Sequence, residues 1–184
     1  MHTLIAGVTE TGKTTLAHAF AHALADAKQN VVVYDPVGTQ TIKGTWPESA
    51  IMFSDENEFF GYLSRDDVYN SHIFVDEAGQ VFGLDKKYNY WLLTRGRHFG
   101  FSVFVICQRP KMVSPTIRNQ CARAYIFRLA SDDLKAVGAD FGFSDLDKNE
   151  LDTGDFLILN SGQARYLRAN IFNLLKEKPN DALS

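Results

Sequence analysis

Apolar residues lie along this chain in short unbroken runs, separated by stretches where they recur every three or four positions. That pattern predicts strands alternating with helices. Leu4-Ile5-Ala6 predicts a first strand, and from Lys13 to Asn30 the spacing becomes helical, with Leu16, Phe20 and Leu24 at i, i+4 and i+8 beside alanines. Val31-Val32-Val33-Tyr34, β-branched and closed by Asp35-Pro36, predicts a second strand running into a turn. Val37 to Pro47, with Gly38, Gly44 and Pro47 among threonines, reads as a loop carrying an exposed Trp46. Ala50 to Phe53 follows as a short strand, then Asp55 to Leu63 as a helix capped by Ser54 or Asp55. His72 to Val75 is another strand, and Tyr88 to Phe99 is helical with an interruption at Gly96. Phe101 to Cys107 is nearly all apolar, as a parallel strand buried on both faces requires, and Ala124 to Leu129 repeats the type. Asp155 to Asn160, Ser161-Gly162 and Gln163 to Phe172 predict a closing hairpin, with residues 174–184 a polar tail. The sum is an α/β fold: a mostly parallel, doubly wound sheet flanked by helices, ending in an antiparallel hairpin, with one domain over residues 1–173.

Composition narrows the partners. A chain of 184 residues that is 45% apolar can bury one substantial core. Nineteen Lys+Arg against 22 Asp+Glu leave a net charge of −3, so any nucleic-acid contact must come from a local patch. Cys107 and Cys121 are too few for a disulfide framework or a zinc site and read as buried thiols, which suits an intracellular compartment. The N-terminus lacks a cationic, apolar leader and the run at Phe101 to Cys107 is too short to cross a bilayer, so we expect a soluble protein with no membrane span. His18 and His22 stand at i, i+4 without the carboxylate of an H-E-x-x-H pair and read as solvated structural residues.

Three motifs carry chemistry. Gly7-Val8-Thr9-Glu10-Thr11-Gly12-Lys13-Thr14 is a complete G-x-x-x-x-G-K-[ST] loop between a strand and a helix, continued by Thr15. Its glycines let backbone N–H groups curl around phosphates, Lys13 reaches the β- and γ-phosphates, and the Thr14 hydroxyl ligates Mg²⁺. The strand His72 to Val75 runs into Asp76-Glu77, a Walker B pattern, in which Asp76 holds Mg²⁺ and Glu77 polarises a water. Gln108 leaves the strand Phe101 to Cys107 and stands beside those acids if both strands flank the phosphate-loop strand. Arg95, Arg97, Arg109, Arg118 and Arg123 cluster around that strand as candidates to neutralise a γ-phosphate across a subunit boundary.

With Arg95-Gly96-Arg97-His98-Phe99-Gly100, Cys107-Gln108-Arg109-Pro110, Ile117-Arg118-Asn119 and Gly154-Asp155-Phe156-Leu157 added to those motifs, nearly the whole chain resembles the FtsK/HerA superfamily of DNA-pumping ATPases. Within it the chain is most similar to the genome-packaging ATPases of tailless, membrane-containing viruses and phages, and Asp35-Pro36 matches the Asp-Pro that ends the second strand. The resemblance implies a RecA-like P-loop NTPase core, ATP and Mg²⁺ as ligands, and a homo-oligomeric ring, usually a hexamer, in which a neighbour's arginine completes the site. Arg97 is the first choice for that finger, and Arg95 and Arg118 are the second. It implies double-stranded DNA as cargo and a capsid or vertex protein as dock, in the host cytoplasm or at a virion vertex. Larger members carry an N-terminal barrel or membrane domain and a C-terminal winged helix; without these the chain reads as the pump alone. For DNA the candidates are Lys86, Lys87, Tyr88 and Tyr90 in the loop Gly79 to Tyr90, then Lys43 and Arg65. Two other classes compete: a small-molecule kinase of the P-loop fold, and a Zot-like phage assembly ATPase.

Overall fold

In the computed structural model, which describes residues 1–37 and 46–176, each apolar run becomes a strand and all the strands join one sheet. The strands are β1 (His2–Ala6), β2 (Asn30–Tyr34), β3 (Ile51–Phe53), β4 (Ser71–Val75), β5 (Ser102–Cys107), β6 (Cys121–Ile126), β7 (Asp155–Asn160) and β8 (Leu167–Asn170). The helices are α1 (Lys13–Asp26), α2 (Glu56–Leu63), α3 (Ala78–Val81), α4 (Trp91–Thr94), α5 (Pro115–Arg118), α6 (Ser131–Phe141) and α7 (Ile171–Leu174). The spatial order is β3-β2-β4-β5-β1-β6-β7-β8. β1 to β6 run parallel, and β7 and β8 are added antiparallel.

The unbroken apolar runs follow from burial on both faces. Along β1, Leu4 and Ala6 enter one core layer and Ile5 the other; along β5, Val103, Val105 and Cys107 face the first while Ile106 faces the second. α1 covers the second layer with buried Leu16, Ala17 and Ala21, while Phe20 packs on Phe104 and Tyr125. α2 starts at Asp55, whose carboxylate accepts the N–H groups of Asn57 at 2.9 Å and Glu58 at 3.0 Å.

Several expectations are corrected. α1 ends at Asp26, not Asn30: Lys28 turns into the left-handed region at φ 59 and Asn30 is already paired with Ser71. Lysine takes a position where glycine is the usual signal, so the stop was hidden. β6 spans Cys121–Ile126, and beyond it Phe127 packs against Gly7 while Arg128 O accepts the Val8 N–H, so the chain follows the phosphate loop there. The hairpin turn is residues 161–166, longer than Ser161-Gly162, since Ile158 pairs with Leu167. Trp46 is buried at 8% exposure, its Nε1–H donating to Asp35 Oδ2 at 3.3 Å and its ring packed on His18 and Phe74. His18 is therefore not a solvated residue; burial pushes its imidazole down to about 4. Leu174 closes α7 rather than opening a tail. Gly38, Lys43, Gly44 and tail residues 177–184 lie outside the described residues.

Candidate active site

Parallel strands end on a common edge, so the loops after β1, β2, β4, β5 and β6 gather there by topology alone. The loop after β1 is tied to both neighbouring strands: Gly7 N–H donates to Cys107 O at 3.3 Å and Val8 N–H to Arg128 O at 3.0 Å. A Cβ at Gly7 would stand 2.6 Å from Phe127 Cβ and 2.7 Å from Thr11 Oγ1, so only glycine fits. The buried Thr11 hydroxyl closes the loop by donating to Val8 O at 2.8 Å. Gly12, at φ 106, turns the chain into α1, and Lys13 opens that helix with only 7% of its surface exposed. The result is a concave run of backbone amides with one lysine, a cradle for phosphate.

Opposite the loop stand the acids. Asp76 follows β4, its N–H donating to Tyr34 O at 2.9 Å, and its Oδ1 accepts the Glu77 N–H at 2.9 Å. Burial pushes the Asp76 carboxyl up to about 6, with the nearby Glu77 and Asp35 carboxylates adding to the rise and the Glu77 N–H and Lys13 opposing it. Glu77 occupies the left-handed region at φ 48 and ψ 41, a conformation that costs a non-glycine residue about 1 kcal/mol or more and is concentrated at functional sites. Its Oε1 accepts Gln108 Nε2–H at 3.0 Å, and Gln108 Oε1 accepts the Thr9 hydroxyl at 3.4 Å. A hydrogen-bonded line therefore runs from the phosphate loop through Gln108 to the carboxylate. The condition that β4 and β5 both flank β1 is not met. β5 lies between β1 and β4, and Gln108 at its end bridges the two loops for that reason. Thr14 and Asp76 offer only oxygen donors, the set that a hard cation such as Mg²⁺ takes when phosphates and water complete its shell.

The arginines separate by position. Arg118 is 6% exposed, ion-paired with Asp140, and donates to Pro110 O at 3.2 Å and Val113 O at 2.7 Å. It is a clamp inside its own chain, not a group free to reach a neighbour. Arg109 pairs with Asp132 and Asp133, and Arg123 binds Asn160 Oδ1 at 2.8 Å. Arg95 and Arg97 are exposed and make no ion pair among the described residues. They sit before β5, at the sheet edge opposite their own phosphate loop. Sequence reasoning passed over Arg128, exposed where β6 ends and joined to the loop through its carbonyl. Its only sequence signal was a polar side chain at the end of an apolar strand, the kind of signal that marked Gln108.

The loop after α3 is held by Glu56 of α2, which accepts from Lys86 at 3.1 Å and from Asn89 Nδ2 at 2.9 Å, and by Tyr90 OH, which donates to Gly83 O at 2.9 Å. Lys86 and Tyr90 are thus tied down, while Lys87 and Leu84 face outward; Tyr88 is also exposed, though its hydroxyl donates to Glu56 Oε1 at 3.5 Å and its ring lies beside Lys86. Arg65 is paired with Asp67 at 2.6 Å.

The sheet order and the phosphate loop define an α/β domain of the P-loop NTPase fold. Among solved structures it is similar to the DNA-packaging ATPase B204 of Sulfolobus turreted icosahedral virus, at 18% identity and TM-score 0.73 over 91% of this chain and 95% of that one. The genome packaging NTPase B204 of Sulfolobus turreted icosahedral virus 2, in complex with ATP-gammaS, matches at 17% identity and TM-score 0.74 over 91% and 95%. The conjugation coupling protein TcpA of pCW3, in monomer form with ATPgS, matches at 16% identity and TM-score 0.73 over 92% of this chain and 59% of that one. No protein-family model and no curated protein sequence matches the chain. At these identities the likeness is one of fold. Among the described residues no helix is long and apolar enough to cross a membrane.

Proposed function

We propose that this chain is an ATP-hydrolysing double-stranded DNA translocase of the FtsK/HerA type, working as a homo-oligomeric ring, with viral genome packaging as its task. The observation that carries the reading is the Thr9–Gln108–Glu77 line, which couples the triphosphate cradle to a carboxylate able to activate water. In hydrolysis Glu77 accepts a proton from a water whose oxygen bonds to the γ-phosphorus; the bond to the β,γ-bridging oxygen breaks and ADP leaves. Lys13 offsets charge on the phosphates, and Gln108 holds Glu77 oriented. Mg²⁺, held by Thr14 and Asp76, would supply charge neutralisation. In a small-molecule kinase the same carboxylate would accept the proton of a substrate hydroxyl in place of water, and phosphate release in the absence of any acceptor separates the two.

The ring supplies the missing cation. β5 alone spans about 17 Å, at roughly 3.3 Å per residue, so Arg97 cannot reach its own γ-phosphate and is assigned to the neighbour's, with Arg95 as the alternative. Lys87 and Tyr88, repeated around a ring, give a cationic and aromatic lining on an acidic protein, enough to follow a phosphate backbone without reading bases. A capsid or vertex protein would anchor the ring, in the host cytoplasm or at the virion.

The test is phosphate release by purified protein with and without double-stranded DNA. Wild type is expected to be stimulated by DNA, Glu77→Gln to bind ATP but lose at least a hundredfold in turnover, and Lys13→Ala to lose binding. Undiminished turnover in Glu77→Gln, or no DNA binding and no stimulation at low salt, overturns the reading.

A further inference from the structure

The phosphate loop has different chemistry on its two sides. Towards β4 and β5 stand Asp76, Glu77 and Gln108. Towards β7 and β8 its neighbours are Gly154 and Ile171, with Phe172 over Gly154. Gly154 N–H donates to Thr11 O at 3.1 Å, and Ile171 N–H donates to Gly154 O at 2.8 Å. Ile171, 1% exposed, is wedged against the turn into α1, where a Cβ on Gly12 would stand 3.2 Å from its Cγ2.

Phe172 lies over Gly154. That glycine sits at φ 90, and a Cβ on it would stand 2.5 Å from Phe172 Cε2 and 2.8 Å from Cδ2. One edge of the ring therefore rests on backbone that is bonded to the phosphate loop, yet 52% of the residue is exposed. Its backbone is held from below: Asn170 Oδ1 accepts the Phe172 N–H at 3.0 Å, Asn170 Nδ2 donates to Asp155 Oδ1 at 2.7 Å, and Asp155 is ion-paired with Arg168. An aromatic ring on a braced support, open to solvent, is a preorganised surface.

A triphosphate whose γ end meets Glu77 and Gln108 directs its α end, ribose and base away from β4 and β5, past Thr14 and the exposed Thr15 at the start of α1. Gly154, which Phe172 covers, is bonded to Thr11 O on that side of β1. We propose that Phe172, seated on Gly154, is the stacking platform for the base of the bound nucleotide. The inference rests on the nucleotide-binding reading above and adds to it the base subsite. The platform is hydrocarbon, so it selects for a planar base over none and tolerates adenine and guanine alike.

Titration calorimetry with Mg-ADP, Mg-GDP and Mg-pyrophosphate tests this without turnover. Phe172→Ala is expected to weaken ADP and GDP about tenfold while pyrophosphate binds as in wild type, which also shows that the variant is folded. Phe172→Trp is expected to keep nucleotide affinity and to show emission quenched by ADP beyond any change that wild type, with Trp46 and Trp91, gives. Unchanged ADP affinity in Phe172→Ala, or equal weakening of ADP and pyrophosphate, overturns the platform while leaving the phosphate loop standing. A wild-type chain that binds neither ADP nor pyrophosphate overturns the nucleotide reading itself.

Discussion

His2 shows how much one side chain can hold that no motif marks. It is 5% exposed, its Nε2–H donating to Leu93 O at 3.0 Å and its Nδ1 accepting Val103 N–H at 3.1 Å. Both nitrogens are in use only in the neutral ring, and a second proton on Nδ1 would break the bond from Val103. Burial, first of all, pushes its pKa down to about 4, helped by the N-terminal amine. The folded value lies below the unfolded 6.5, so the stability it contributes is complete above pH 6.5 and is lost as pH falls through 4. At about 1.4 kcal/mol per pH unit the full loss is at most roughly 3 kcal/mol. Urea denaturation at pH 7 and pH 4 is expected to give a smaller loss of stability for His2→Ala than for wild type; equal losses would contradict this assignment. His18 titrates in the same window, so the difference between the two proteins, not the wild-type curve alone, carries the test. At this scale the phosphate loop was legible because its chemistry demands fixed types at fixed spacing. The left-handed backbone of Glu77 and the burial of Trp46 were not, because each depends on groups distant in sequence.

Among the elements, α5 is one turn long and inconspicuous in the apolar pattern, yet polar contacts tie it firmly. Its last residue, Arg118, closes the segment after β5 by bonding Pro110 O and Val113 O, and locks onto Asp140 of α6. That segment begins next to Gln108, so the clamp holds the end of β5 from which the amide reaches Glu77. Arg118→Ala leaves a carboxylate and two carbonyls without their partner, and such a loss in a buried pair costs about 3 kcal/mol. A shift in the urea midpoint corresponding to less than about 1 kcal/mol would show that the clamp is not structural. Arg118→Lys, which keeps the charge but not the fork, is expected to recover only part of the loss. Helix and strand identities followed from periodicity, whereas their ends did not. Lys28 ended α1 without glycine, and β6 stopped short because Phe127 was needed against Gly7. α6 went unread: its apolar Leu134, Val137 and Phe141 sit among aspartates that serve Arg109 and Lys111.

For the whole molecule, the question is what lies across from the cradle. In the ring we propose, Arg97 faces the neighbour's site, so Arg97→Ala is expected to keep ATP affinity and lose hydrolysis. Mixing it with Glu77→Gln is expected to restore part of the turnover, because some interfaces then pair an intact arginine with an intact carboxylate. No recovery at any mixing ratio would argue against an arginine acting in trans. By itself the sequence determined that a triphosphate loop precedes a helix in a mostly parallel α/β sheet with two acids at the end of one strand, since each of these is written in local spacing and composition. Only the tertiary structure decided that β5 is inserted between β1 and β4, which brings Gln108 against Glu77 and Thr9. It alone seated Phe172 over Gly154, turned Arg118 inward and left Arg97 exposed. Those outcomes depend on strand order and on contacts between residues far apart in the chain, and neither leaves a periodic mark on the sequence.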